Sequence, residues 1–135
     1  MALLTPQGRT TAHERCMEYL SRAFQTCLKE HRSCTVADDT DWIPSRLLDL
    51  QPALSTLDSV ALVERYSVYP AAASPIRYIT LSHMWGGCQP LVLTKATRED
   101  MMRGIRTSLL PQCYQDAIKV VRQLGMRYMW IDSLW

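Results

Sequence analysis

Hydrophobic and polar positions along this chain follow two different periods, and the change of period marks its elements. Between residues 112 and 124, apolar side chains recur at Cys113, Ala117, Val120, Val121 and Leu124, the spacing of one helix face. Pro111 stands where a first helical turn tolerates a missing N–H. Gly125 stands where a left-handed residue ends a helix. Residues 77–86 (RYITLSHMWG) have the β-branched and aromatic content of a strand running into a turn at Gly86–Gly87. Residues 128–131 are a short, almost wholly apolar run, the expectation for a strand covered on both faces. Strands near 77–83 and 127–132 with a helix over 112–124 make a βαβ unit, whose connection should be right-handed.

Ahead of this unit the pattern is mixed. Residues 1–10 read as a loose leader. Thr11 and Glu14 have the spacing of a capping box, and Met17, Leu20, Phe24, Cys27 and Leu28 then form one apolar stripe to about residue 30. An amphipathic helix packed beside a sheet is expected there. Residues 36–41 are acidic and polar, a surface turn. Leu47, Leu48 and Leu50 suggest a short strand, with Pro44 and Pro52 restricting it to a sheet edge. Residues 57–68 lean toward a strand at 61–64, on their β-branched content. A small-residue linker bounded by prolines, 69–75, separates this part from the βαβ unit. The expected organisation is therefore an N-terminal helical segment (1–35), an extended connector (36–75) and an α/β domain (76–135). Its fold class is α/β, built on an incomplete parallel sheet. Residues 91–94 suggest a brief extended piece. Thr97, with Asp100 three residues on, signals a short helix over 98–105, whose Arg98, Arg103, Arg106, Glu99 and Asp100 form a solvated face.

Composition changes this picture mainly by exclusion. At 135 residues the chain suffices for one core, and 47% hydrophobic with 21% charged residues is ordinary for a globular protein. A net charge of +2, with no basic run interleaved with aromatics, argues against nucleic acid as a partner. No apolar run approaches the roughly twenty residues of a membrane span, and the N-terminus lacks the features of a secretory signal, so the expected compartment is the cytoplasm. Five cysteines form no regular framework and should be thiols, most of them buried.

Two groups of residues carry candidate chemistry. In parallel sheets, ligands bind beyond the carboxyl ends of the strands. Those ends carry Ser82, His83, Trp85 and Gly86 on one side and Asp132 and Ser133 on the other, the candidate cleft. Ser82, His83 and Asp132 sketch a hydrolase triad. However, Ser82 and His83 are adjacent and point to opposite faces of a strand. The blander reading of Trp85, Trp130 and Asp132 is aromatic core plus a carboxylate accepting backbone N–H bonds. No nucleotide-binding glycine motif is present. The second group is Cys27-x3-His31-x2-Cys34, three soft or borderline ligands that could hold zinc. With no fourth ligand at hand, the expectation is buried thiols with a capping histidine and no metal. No cofactor is indicated.

The order Tyr78-x-x-Leu81-Ser82-x-x-Trp85-Gly86, Leu110-Pro111, Asp116-Ala117, Leu124-Gly125, Arg127-Tyr128 and Trp130-Ile131-Asp132-Ser133-Leu134 resembles the fungal heterokaryon-incompatibility (HET) domain. This resemblance implies a role in fungal non-self recognition, with the domain a trigger of cell death. HET domains are distantly similar to TIR domains, some of which cleave NAD+ with a glutamate on a later helix, a position this chain does not reach. The family motif continues with Cys-Ile and an acidic, Trp-containing helix. Here Trp135 stands at the Cys position, and His83 replaces the commoner Tyr. The resemblance thus implies the N-terminal part of the domain, whose uncovered apolar surface calls for a protein partner or self-association. A signalling module acting by association is the reading. A TIR-like NAD+ glycohydrolase, another enzyme on the fold, or an inactive truncated piece is the alternative.

Overall fold

The computed structural model describes residues 14–35, 43–51, 58–68, 76–84 and 92–134. It divides into two compact units, Met1–Asp41 and Trp42–Trp135. In the first, helix α1 (Glu14–Glu30) is followed by the single-turn helix α2 (Arg32–Thr35). Met17 is buried and Phe24, Cys27 and Leu28 are half-buried, as the apolar stripe requires, whereas Leu20 is exposed. The expected capping box at Thr11 lies outside the described residues.

The second unit contains strands β1 (Arg46–Asp49) and β2 (Ser59–Glu64), helix α3 (Arg65–Val68), strand β3 (Tyr78–Leu81), helix α4 (Arg98–Arg103), strand β4 (Ile105–Arg106), helix α5 (Gln112–Gln123) and strand β5 (Tyr128–Ile131). Short 3-10 turns cover Thr107–Leu109 and Asp132–Leu134. The βαβ unit is present: β3 and β5 pair in parallel, Tyr78 opposite Tyr128 through Leu81 opposite Ile131, with α5 between them in the chain. Around this parallel pair the sheet is otherwise antiparallel, in the order β3-β5-β1-β2-β4.

The edge position expected for the Leu47–Leu48 strand is overturned, since β1 lies between β5 and β2. Neither Pro44 nor Pro52 falls within 46–49, so all four residues keep their N–H groups for a ladder. Strands β1 and β2, within the stretch expected as a connector, thus supply the middle of the sheet. A buried carboxylate there needs a partner. Asp49, 4% exposed, accepts a two-pronged hydrogen bond from Arg127 (Nε to Oδ1 2.9 Å, Nη2 to Oδ2 2.8 Å) and another from the Gln51 N–H. This fork also holds the Arg127 guanidinium above its ordinary pKa, its hydrogen bond to Asp49 being the largest cause.

One face of the sheet carries the core: Leu48, Val60, Leu62, Met129 and Ile131 pack with Tyr114, Ile118 and Val121 of α5 and with Met101 of α4. Strand β5 alternates, with Met129 and Ile131 buried and Tyr128 and Trp130 half-buried, so it is not sealed on both faces as expected. Of the expected stripe, Val121 is buried and Ala117 packs against the core, but Cys113 is exposed, and Tyr114 and Ile118 complete the inward face. Arg122 anchors α5 to the sheet, donating to the carbonyls of Leu50 (2.7 and 3.0 Å) and Ser59 (3.0 Å), and burial lowers its pKa.

Helix ends follow local rules, with one shift. Pro111 is the cap itself, its carbonyl accepting from the Tyr114 and Gln115 N–H groups. At the other end Gly125 has φ +75°, with Met126 N–H bonded to Val121 O and Gly125 N–H to Arg122 O, the Schellman pattern. Thr97 is the N-cap residue of α4 as expected, but its side chain makes no cap bond into that helix. Thr94 and Thr97 exchange side-chain-to-backbone bonds in both directions (2.9 and 3.2 Å) ahead of α4. Among the described residues no helix is long and apolar enough to cross a membrane.

Candidate functional site

Beyond the carboxyl ends of the parallel pair, the chain leaves β3 into Ser82 and His83 and leaves β5 into the 3-10 turn of Asp132–Leu134. The parallel register sets Leu81 beside Ile131, which brings the residues that follow each strand together. Tyr114, in the first turn of α5, points into the same place and is wholly buried.

These residues form a chain of contacts. His83 Nδ1 lies 3.4 Å from Asp132 Oδ1, His83 Nε2 lies 2.9 Å from the Tyr114 hydroxyl, and that hydroxyl lies 2.5 Å from Ser133 Oγ. The His83 and Tyr114 rings meet edge to face, 5.0 Å apart at 89°. At 3.4 Å the His83–Asp132 pair is an electrostatic contact rather than a formed hydrogen bond. It becomes an ion pair when His83 is protonated. One tautomer uses every contact: Nδ1–H faces the carboxylate, Nε2 accepts from Tyr114 O–H, and Ser133 O–H donates to the Tyr114 oxygen. Burial pushes the Tyr114 pKa up, the Ser133 hydrogen bond opposes the rise, and the nearby Cys113 and Asp132 charges add to it. Tyr114 is therefore a neutral hydroxyl at neutral pH.

Of the sequence-expected cleft, His83, Asp132 and Ser133 meet in one network. Ser82 is exposed and forms no part of it, so the Ser82–His83–Asp132 triad does not assemble. Adjacent residues on an extended chain face opposite ways, and only one of the two turns inward. Trp85 and Gly86 lie outside the described residues. Trp130 stands on the half-buried face of β5. Tyr114, which joins the two strand ends, is absent from the expected stripe, which shares Val121 with the true inward face but starts from Cys113. The interval Tyr114-x3-Ile118-x2-Val121 is the signal that would have found it.

The network has a closed character. Solvent reaches 39% of the Asp132 side chain but 11% of His83, and Tyr114 and Ser133 are buried. It can store or pass a proton between Asp132 and Ser133. No hydroxyl within it is open to an incoming substrate. A family comparison bears on this same stretch: residues 78–134 match the model described as "Heterokaryon incompatibility protein (HET)". That segment is similar to the HET family. Its bounds run from the first residue of β3 to the last residue of the turn carrying Asp132 and Ser133, so the network lies wholly inside the HET segment. Searches of curated proteins and of solved structures gave no significant match.

In the first unit, Cys27, His31 and Cys34 also come together, their three ligand atoms all within 4.8 Å of one another. The buried-thiol expectation does not hold there: Cys27 is half-buried, and His31 and Cys34 are exposed. Cys27 belongs to the apolar stripe of α1, and His31 and Cys34 follow it on the solvent side.

Proposed function

We propose that this chain is a signalling module of fungal non-self recognition, a trigger of cell death that acts by protein association rather than by turnover. The similarity of residues 78–134 to the HET family supports the setting. The observation carrying the mode of action is the closure of the His83 network. Its two hydroxyls, on Tyr114 and Ser133, are buried and satisfied by each other and by His83. A nucleophile must reach its substrate, and a hydroxyl sealed in the core serves instead to tie β3, α5 and β5 into one rigid platform. Cytoplasmic location and a protein partner, a second copy included, belong to this reading.

A TIR-like NAD+ glycohydrolase is the second reading. It is favoured by the position of the partly exposed Asp132 beyond adjacent parallel strand ends. Incubation with NAD+ and assay of free nicotinamide separates the two. No release above the blank is expected, together with sedimentation heavier than a monomer and loss of viability in an expressing fungal host. Steady nicotinamide release abolished by Asp132→Asn would establish the enzyme instead.

A further inference from the structure

We propose that Cys27, His31 and Cys34 form a zinc site with three protein ligands at the end of α1. The sequence interval of four and then three residues places all three side chains on one face of a helical course. That course is kept through the break between α1 and α2. The His31 N–H bonds to Cys27 O (3.2 Å) and the Cys34 N–H to His31 O (3.0 Å), so the turn holding the ligands is closed by its own backbone. The two sulfurs stand 3.0 Å apart, and no ligand atom is more than 4.8 Å from another.

Two thiolates and an imidazole are the donor set of a borderline cation that prefers four-coordinate geometry, and Zn–S and Zn–N lengths of about 2.3 and 2.0 Å suit such a cluster. With those lengths the two sulfurs would sit about 3.8 Å apart and each sulfur about 3.6 Å from the nitrogen. Both adjustments are within reach of side-chain rotation at the exposed His31 and Cys34. The fourth position belongs to water or to a ligand from outside. Both cysteines bind as thiolates, so on binding the two thiol protons pass to solvent.

The test uses the full chain, purified under reducing conditions. Co2+ titration is expected to give sulfur-to-metal charge-transfer bands saturating at one ion per chain, and Zn2+ to displace it. Cys27→Ser, Cys34→Ser and His31→Gln should each weaken Zn2+ binding at least about tenfold against a chromophoric chelator. Cys16→Ser and Cys113→Ser should leave it unchanged. Circular dichroism of each variant keeps loss of the helix distinct from loss of a ligand. Absence of thiolate–cobalt bands in the reduced protein, or equal Zn2+ affinity in the Cys27→Ser and parent chains, would overturn the site.

Discussion

Tyr114 serves two purposes at once, because its ring is buried in the core and its hydroxyl joins two strand ends. Tyr114→Phe keeps the ring but strands Ser133 Oγ and His83 Nε2 without their shared partner. We expect a loss of about 1–3 kcal/mol, the cost of unmade buried hydrogen bonds, read as a lower midpoint in urea with unchanged slope. The same hydroxyl gives a pH prediction. Burial raises its folded-state pKa above the unfolded value of about 10, so the folded chain holds the proton more tightly. That contribution is fully present below pH ~10 and is lost as pH rises through the folded-state value. Urea midpoints should therefore fall on the alkaline side in the parent chain, and this part of the fall should be missing in Tyr114→Phe. His83, Asp132 and Ser133 were legible from sequence, because residues just beyond parallel strand ends have a known destination. Tyr114 was not, since a helix stripe of Cys113, Ala117, Val120, Val121 and Leu124 has helical spacing too and shares Val121 with the true one.

At the scale of elements, boundaries followed local chemistry and partners did not. Gly125 ended α5 where expected, and its φ of +75° is a conformation that side chains avoid. A Cβ there would meet nothing within 4 Å, so Gly125→Ala isolates the backbone term. It should cost about 1 kcal/mol, measured by thermal or urea unfolding. The link between β2 and α4 is an ion pair of Glu64 with Arg98, which lowers the Glu64 pKa chiefly through the hydrogen bond and raises that of Arg98. A depressed carboxylate pKa means stability present above the unfolded value of about 4.3 and lost as pH falls through the folded one. NMR titration should place Glu64 below the ordinary glutamate range and return it there in Arg98→Ala. The antiparallel strands of 46–64 were hard to place from sequence, because four to six residues with an apolar run fit an edge or a centre equally well. The choice between them is made by the neighbours.

For the whole molecule, the HET-matched segment 78–134 holds one parallel pair among its described residues, and the strands between β5 and β4 come from upstream. The core crosses that boundary: Leu48, Val60 and Leu62 from upstream pack against Tyr114, Ile118, Met129 and Ile131. The Asp49–Arg127 fork crosses it too. A chain lacking residues 1–68 should therefore lose cooperative unfolding, seen as a broad transition with dye-binding apolar surface. A chain beginning at residue 42 should keep the core contacts of the second unit and unfold in one step. By itself the amino-acid order determined the extents of α1, α4 and α5 to within a few residues, the parallel strand–helix–strand unit and the three polar residues at its open end. Period, turn chemistry and a left-handed glycine are local, so neighbours in the chain suffice to specify them. Only the tertiary structure decided that β1 is central, that Asp49 is answered from seventy-eight residues away, and that Tyr114 rather than Ser82 completes the histidine's surroundings. Those outcomes depend on which surfaces meet, a property of the packed chain and not of any single stretch.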